Sequence, residues 1–329
     1  RYIGEAVGQT GYGQIHIVGR VVSGVFDMLT ILFISLIVKR LYKNHRLGLL
    51  AALFYSLAVL PIQLSNFFTV DTTASFFSVL TIYFAVCLST PGEAHLEAKR
   101  STTDKWYWLK EGWNTIGLYV AFAISYGIAM ACKVSIAPLA LLLPLAAFIY
   151  YKKLNEDNRE NEWPILLRNL VLAGLIAIVT FRIFQPYAFT GPSFFNFKIN
   201  PQWIAGLKEL SAQSSGEVDV PYALQWVRRP ITFAITNMVK WGLGIPLGIL
   251  SWAGFLWMAW RIIKGDWQKH ILIWSWIAVV FISQSLTWNS MMRYQIQIYP
   301  MLVIVASWTI FKLWEDGKPT NTIYKNVRY

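Results

Sequence analysis

Charge is scarce in this chain. Only 14% of its 329 residues are Asp, Glu, Lys or Arg, against about a quarter in ordinary soluble domains, while 56% are hydrophobic. A water-soluble core has no room for that much apolar surface, so a soluble globular fold is excluded. Cysteine is nearly missing too. Cys87 and Cys132 both lie inside apolar stretches, which excludes a disulfide framework and a thiolate metal knuckle and leaves the redox compartment open. There is no Gly-rich nucleotide loop, no HExxH, no CxxC and no GxSxG, so chemistry on a soluble nucleotide sugar has no support. The opening residues, RYIGEAVGQTGYGQI, hold neither an apolar core nor a cleavage site, so no signal peptide is visible. Because the chain starts at Arg1 and not at Met, we expect a further part of the protein upstream.

What is abundant is long apolar sequence. Runs near 15–38, 47–69, 72–90, 115–134, 136–151, 164–187, 241–262, 271–289 and 296–314 have the length that crosses about 30 Å of hydrocarbon. They do not alternate as barrel strands would, and a helix satisfies its own backbone in lipid. The fold class expected is all-α: a polytopic membrane helical bundle of about nine transmembrane helices. The net charge of +12 does not indicate nucleic acid, because the cations sit mostly in short segments between apolar runs. Those segments hold Lys39, Arg40, Lys43 and Arg46; Lys99, Arg100, Lys105 and Lys110; Lys152, Lys153 and Arg159; Arg261, Lys264 and Lys269; and Lys312, Lys318, Lys325 and Arg328. All fall on one side of a nine-span chain, which the positive-inside rule makes cytoplasmic, in a multi-pass protein of the cell membrane. Tryptophan and tyrosine crowd the span ends, at Trp106, Tyr107, Trp108, Tyr150, Tyr151, Trp241 and Trp288, as interfacial anchors.

Three regions follow: an N-terminal transmembrane part, 1–187, carrying the candidate site; an outer segment, 188–240; and C-terminal transmembrane helices with a cytoplasmic tail, 241–329. The 188–240 segment mixes Pro, Gly and aromatics (PYAFTGPSFFNF, PQWIAGL, PYALQWVRRP) and is too apolar for a disordered linker, so it should form short helices on the membrane surface.

On the outer side few cations remain, and ionisable groups near helix ends in a membrane often mark a site. Asp71, in SNFFTVDTTASFF, has no basic neighbour in sequence; it can cap the following helix, ligate a divalent metal or contact a phosphorylated lipid. His16 and Arg20 are four apart and share a helix face that can present positive charge to a phosphate. Asp27, deeper on the same helix, calls for a buried partner. Lys133, in GIAMACKVSIAP, puts a point charge at the outer end of an almost uncharged helix, where it either snorkels or meets a lipid phosphate. Arg293, before the last span, offers a guanidinium that clamps phosphate bidentately. Arg182 needs a reason, and Arg228 and Arg229 are secondary candidates for phosphate or acceptor.

Taken in order, GRVVSGVFDMLTILFISLIVKRLYKNHRLGLLAALFYSLAVLPIQLSNFFTVDTTASFF, GIAMACKVSIAP, FRIFQPYAF and RYQIQIYPML resemble the polyprenyl-phosphate-dependent membrane glycosyltransferases of the C-type superfamily, which includes the protein O-mannosyltransferases and the lipid A aminoarabinose transferase. The resemblance implies a polyprenyl-phosphate lipid donor, a protein or glycolipid acceptor, and transfer on the outer face. A carboxylate on the first outer loop would act as base, and cations with a divalent metal or second carboxylate would hold the phosphate. By position Asp71 matches the second carboxylate and the metal ligand, with Arg20, Lys133 and Arg293 as phosphate-side cations. The family's base lies on the loop after its first helix, so it is expected upstream of residue 1; Glu5, the sole acid before Arg20, is not assigned to it.

Two other readings compete. A non-catalytic membrane subunit of a larger complex would tie its outer cations into salt bridges or partner contacts. A secondary transporter would place ionisable residues near the midplane of broken helices, whereas here they gather at the outer ends.

Overall fold

The computed structural model describes residues 2–11, 13–92, 113–154, 156–191, 193–218 and 221–316. The basic segment with Lys99, Arg100, Lys105 and Lys110, the anchors Trp106 to Trp108, and the tail cations Lys318, Lys325 and Arg328 lie outside them.

Nearly all of the described chain is helical, and its only β features are two isolated bridges, Phe189 to Ile199 and Val227 to Asn289. The long helices are α1 (Ile15–Tyr42), α4 (Val70–Ser89), α5 (Trp113–Cys132), α6 (Val134–Lys153, tightened to three residues per turn at its start around Pro138), α7 (Glu156–Phe184), α10 (Ile245–Arg261), α11 (Trp267–Ser285) and α12 (Tyr299–Asp316). Between α1 and α4 a helix pair, α2 (His45–Ser56) and α3 (Val59–Ser65), bends by 62°. Asn44 starts α2, its side chain accepting from the Leu47 amide at 3.1 Å.

Among the described residues seven stretches are long and apolar enough to cross a membrane, or eight with the bent pair. One of the seven, Ile245–Ser285, is 41 residues long and doubles back. As a straight helix it would hold Trp252 and Phe281 about 43 Å apart, yet their rings meet at 4.5 Å, and Phe255 stacks on Trp274 at 5.1 Å. The reversal occurs at Gly265, whose φ of 112° is closed to side-chain-bearing residues, and the Arg261–Asp266 ion pair spans the turn. Counted as a hairpin, this stretch brings the spans to nine. The protein is a multi-pass membrane helical bundle.

Helices α4 and α12 form its centre. The run from Tyr299 to Ala306 is completely buried apart from Pro300, which is buried as well, and most of α4 is enclosed, whereas α1, α7 and α10 present wide apolar faces outward. Small residues permit close helix contact, as expected where lipid offers no hydrophobic drive. A Cβ on Gly127 would come within 2.7 Å of Thr180 and 2.9 Å of the Ala177 carbonyl, and one on Gly254 within 2.0 Å of Thr309. Some buried hydroxyls bond inside the bundle: Thr81 bonds the Phe77 carbonyl and also Ser125 across the α4–α5 seam at 2.9 Å. The 188–240 segment contains short helices α8 (Pro201–Ser215) and α9 (Ile231–Asn237).

Candidate functional site

Helix α4 sets the two ends of the bundle. At its C-terminal end Arg40 of α1 donates to the Thr90 carbonyl at 2.7 Å and Lys153 of α6 donates to the Ser89 carbonyl at 2.7 Å, cations meeting the negative end of a helix. Asp71 lies in the first turn, 18 residues earlier, so the two ends are about 27 Å apart, close to the hydrocarbon thickness.

Asp71 is not the capping residue of α4. Thr69 holds that position, extended and without a side-chain bond, and Asp71 is the second residue of the helix. Its carboxylate is buried and turns sideways to accept a 2.9 Å hydrogen bond from Lys133 Nζ. Lys133 is held in extended backbone at the break between α5 and α6, where Val134 begins the tight first turns of α6. The same ammonium stands 5.1 Å above the ring of Tyr294, and the Arg293 guanidinium lies 5.5 Å from that ring. Asp71, Lys133 and Arg293, far apart in sequence, therefore converge around one tyrosine at the end of the bundle opposite Arg40 and Lys153. The Lys133 side chain is 19% exposed and Arg293 is open to solvent, so an anion arriving from outside would reach both.

The remaining candidates are elsewhere. His16 and Arg20 stand exposed on α1, and no contact among the described residues joins them to the cluster. Arg228, at a positive φ of 56°, packs over Trp288 at 5.1 Å; Arg229 bonds the Gln225 carbonyl and covers Phe233 at 5.2 Å. Arg182 is buried, donating to the Ser193 carbonyl at 2.9 Å and lying over Phe189 at 5.0 Å, which ties the start of the 188–240 segment to α7. Asp27 accepts a 2.9 Å bond from the Tyr55 hydroxyl, the buried partner its position requires.

As a metal site the cluster is thin. Asp71 is one carboxylate with an ammonium already on it, and no group of three or more His, Cys, Asp or Glu side chains suited to a metal ion occurs among the described residues.

Sequence reasoning missed Tyr294, and it missed the buried amides beside it. Gln295 and Gln297 are each 3% exposed on the tight helix Met292–Ile298. The signal available was polar residues alternating with isoleucine in RYQIQIYP, just before a span.

Comparison with known proteins gives this geometry a frame. Residues 12–96 match the family model of dolichyl-phosphate-mannose-protein mannosyltransferase. No curated protein matches the chain. Among solved structures, ArnT from Cupriavidus metallidurans bound to undecaprenyl phosphate superposes with a TM-score of 0.55 at 15% identity, over 95% of this chain and 50% of that one. The archaeal oligosaccharyltransferase AglB from Archaeoglobus fulgidus, in complex with an inhibitory peptide and a dolichol-phosphate, gives 0.56 at 13% identity, over 95% of this chain and 41% of its own. The same oligosaccharyltransferase in complex with Zn and sulfate gives 0.55 at 15%, over 95% and 39%. The chain thus spans half or less of the length of these structures. The chain shares the transmembrane fold of these structures over most of its length, and residues 12–96 carry the sequence likeness to the mannosyltransferase family.

Proposed function

We propose that this chain is a membrane glycosyltransferase, or the transmembrane part of one, that takes a sugar from a polyprenyl-phosphate donor at the extracytoplasmic face and passes it to a protein or glycolipid acceptor. The observation that carries the reading is the convergence of Lys133 and Arg293 on Tyr294 at the bundle end remote from the basic loops. When the sugar leaves, its bonding electrons stay on the lipid phosphate, and the new charge needs fixed cations in a water-poor setting. Lys133 is already fixed by Asp71 and the Tyr294 ring, so little reorganisation accompanies the step; Arg293 supplies a planar fork for two phosphate oxygens. In this role Asp71 positions Lys133 and is not the base. Support from other proteins is of the same kind: the mannosyltransferase model matches residues 12–96, and two of the similar structures were solved with undecaprenyl phosphate or a dolichol-phosphate bound.

The test is transfer from polyprenyl-phosphomannose by membranes carrying the wild type or the Lys133→Ala and Arg293→Ala variants. We expect each variant to lose at least tenfold, roughly the 1.5–3 kcal/mol of a charged hydrogen bond, at unchanged protein level. Full activity in both would refute the proposal.

One observation favours a second reading, a non-catalytic subunit with a transferase-like fold. The Lys133–Asp71 bond is what that reading requires of an outer-face cation. Co-purification of the chain with a larger membrane complex, with both variants silent in the complex's activity, would favour it.

A further inference from the structure

At the C-terminal end of α4, cations are more plentiful than capping a helix requires. Arg40 binds Thr90 twice, through Nε to the side-chain oxygen at 3.1 Å and through one terminal nitrogen to the carbonyl at 2.7 Å, and among the described residues nothing bonds its other terminal nitrogen. Lys153 sits half-buried on the neighbouring Ser89 carbonyl, and Lys43 and Lys269 stand near enough for their charges to act on it. Among the described residues no salt bridge joins Arg40, Lys153 or Lys269 to a carboxylate. Like charges gathered in this way repel, and an anion set among them would relieve the repulsion.

Beside Arg40 the helices leave room for one. A cavity of about 150 Å³ lies where α1, α4, α5 and α6 meet, with Arg40, Thr115 and Tyr150 in its polar wall and Leu88, Pro91 and Leu118 in its apolar one. That is the volume of about five water molecules, enough for a phosphate with its adjoining glycerol and too little for a nucleotide. The mixed lining narrows the choice further. A soluble phosphate ester has no use for the apolar wall, whereas a phospholipid brings a phosphodiester and hydrocarbon together at one junction. Depth agrees with this, because α4 spans about the hydrocarbon thickness from Asp71 to Ser89 and so ends where head groups meet acyl chains. A zwitterionic head group would add its own cation to those already present, so the phosphate that fits is that of an anionic lipid.

We propose that this cavity is a head-group site for an anionic phospholipid of the leaflet at the Arg40–Lys153 end, with the lipid phosphate on the Arg40 guanidinium, its glycerol against Thr115 and Tyr150, and Lys43, Lys153 and Lys269 supplying the positive field around it. Basic recesses between transmembrane helices hold lipid head groups by the same physics. The site stands at the opposite end of α4 from Lys133 and Arg293, so it is independent of the function proposed above. A lipid seated there touches four helices at once, and ligands that bind only the folded state raise its stability.

The experiment measures binding of phosphatidylglycerol with a fluorescent acyl chain to the purified full chain in neutral detergent, with phosphatidylcholine and glycerol 3-phosphate as competitors. Wild type is compared with Arg40→Gln, Leu118→Trp and Lys264→Gln. Leu118→Trp fills the cavity and leaves every charge in place, whereas Lys264→Gln removes an exposed cation that does not line it. Thermal unfolding without lipid checks that each variant folds. We expect wild type to bind phosphatidylglycerol saturably and at least tenfold more tightly than phosphatidylcholine, Arg40→Gln and Leu118→Trp each to lose about tenfold, and Lys264→Gln to bind as wild type does. Phosphatidylglycerol should also raise the unfolding temperature of wild type more than that of either cavity variant. Should Arg40→Gln fail to fold for want of its bonds to Thr90, Leu118→Trp decides. Equal wild-type affinity for the two lipids, binding undiminished in Leu118→Trp, or an equal loss in Lys264→Gln would overturn the site. Displacement of the lipid by glycerol 3-phosphate at matching concentration would assign the cavity to a soluble phosphate ester and overturn it as well.

Discussion

At the scale of single residues, the site consists of charges that sequence can point to and partners that it cannot. Asp71, Lys133 and Arg293 stand out because charge is rare in apolar sequence, and a lone ionisable group there demands an explanation. That Asp71 pairs with Lys133, 62 residues away, depends on how α5 meets α4 and is invisible in either segment alone. Tyr294 was hidden for another reason: an aromatic at a membrane boundary is ordinary, and only the two cations over its ring distinguish it. His16 and Arg20 show the converse error, since a shared helix face does not say which way it points, and this one faces outward. The Asp71–Lys133 pair is mostly enclosed, so removing one partner strands the other. Lys133→Met should destabilise the fold by about 3 kcal/mol, and the double change Asp71→Asn with Lys133→Met should recover much of that loss, as a thermal-unfolding double-mutant cycle in detergent would reveal. Tyr55→Phe should cost about 1–3 kcal/mol, because it takes one of the two side-chain donors, Tyr55 and Ser65, from the Asp27 carboxylate inside a span; a wild-type melting point in that variant would mean that Ser65 alone satisfies Asp27.

At the scale of elements, the spans were legible because lipid imposes length and hydrophobicity directly on sequence. Breaks within them were harder. The run near 47–69 reads as one span, yet the chain bends by 62° between α2 and α3, where Leu57 and Ala58 leave the helix. The tight start of α6 follows from Pro138, which has no amide hydrogen to give to the helix ladder. Close contacts are equally specific and equally silent in sequence, since a packing glycine and a loop glycine look alike. Gly127→Leu should separate α5 from α7 and Gly254→Leu should separate α10 from α12, each lowering the unfolding temperature by several degrees, while Gly174→Leu, with nothing within 4 Å of a new Cβ, should melt as wild type does. Equal effects at all three positions would mean that the packing described for α5 and α7 is wrong.

For the whole molecule, the decisive arrangement is two unlike ends. Arg40 and Lys153 close one end of α4, and Asp71, Lys133, Tyr294 and Arg293 gather at the other, with α12 and α4 running enclosed between them. The short basic segments lead us to expect that the Arg40–Lys153 end faces the cytoplasm. With Cys87 and Cys132 replaced, Lys208→Cys in α8 should react with a membrane-impermeant maleimide on intact cells, and Arg46→Cys only after permeabilisation; the reverse pattern would invert the molecule and put the cation cluster inside. The account as a whole rests on that cluster being a binding site for lipid phosphate. The most direct measurement is equilibrium binding of undecaprenyl phosphate to the purified full chain, wild type against Lys133→Ala and Arg293→Ala. Saturable binding that weakens at least tenfold in each folded variant is the predicted result, and affinity unchanged in both would contradict the account.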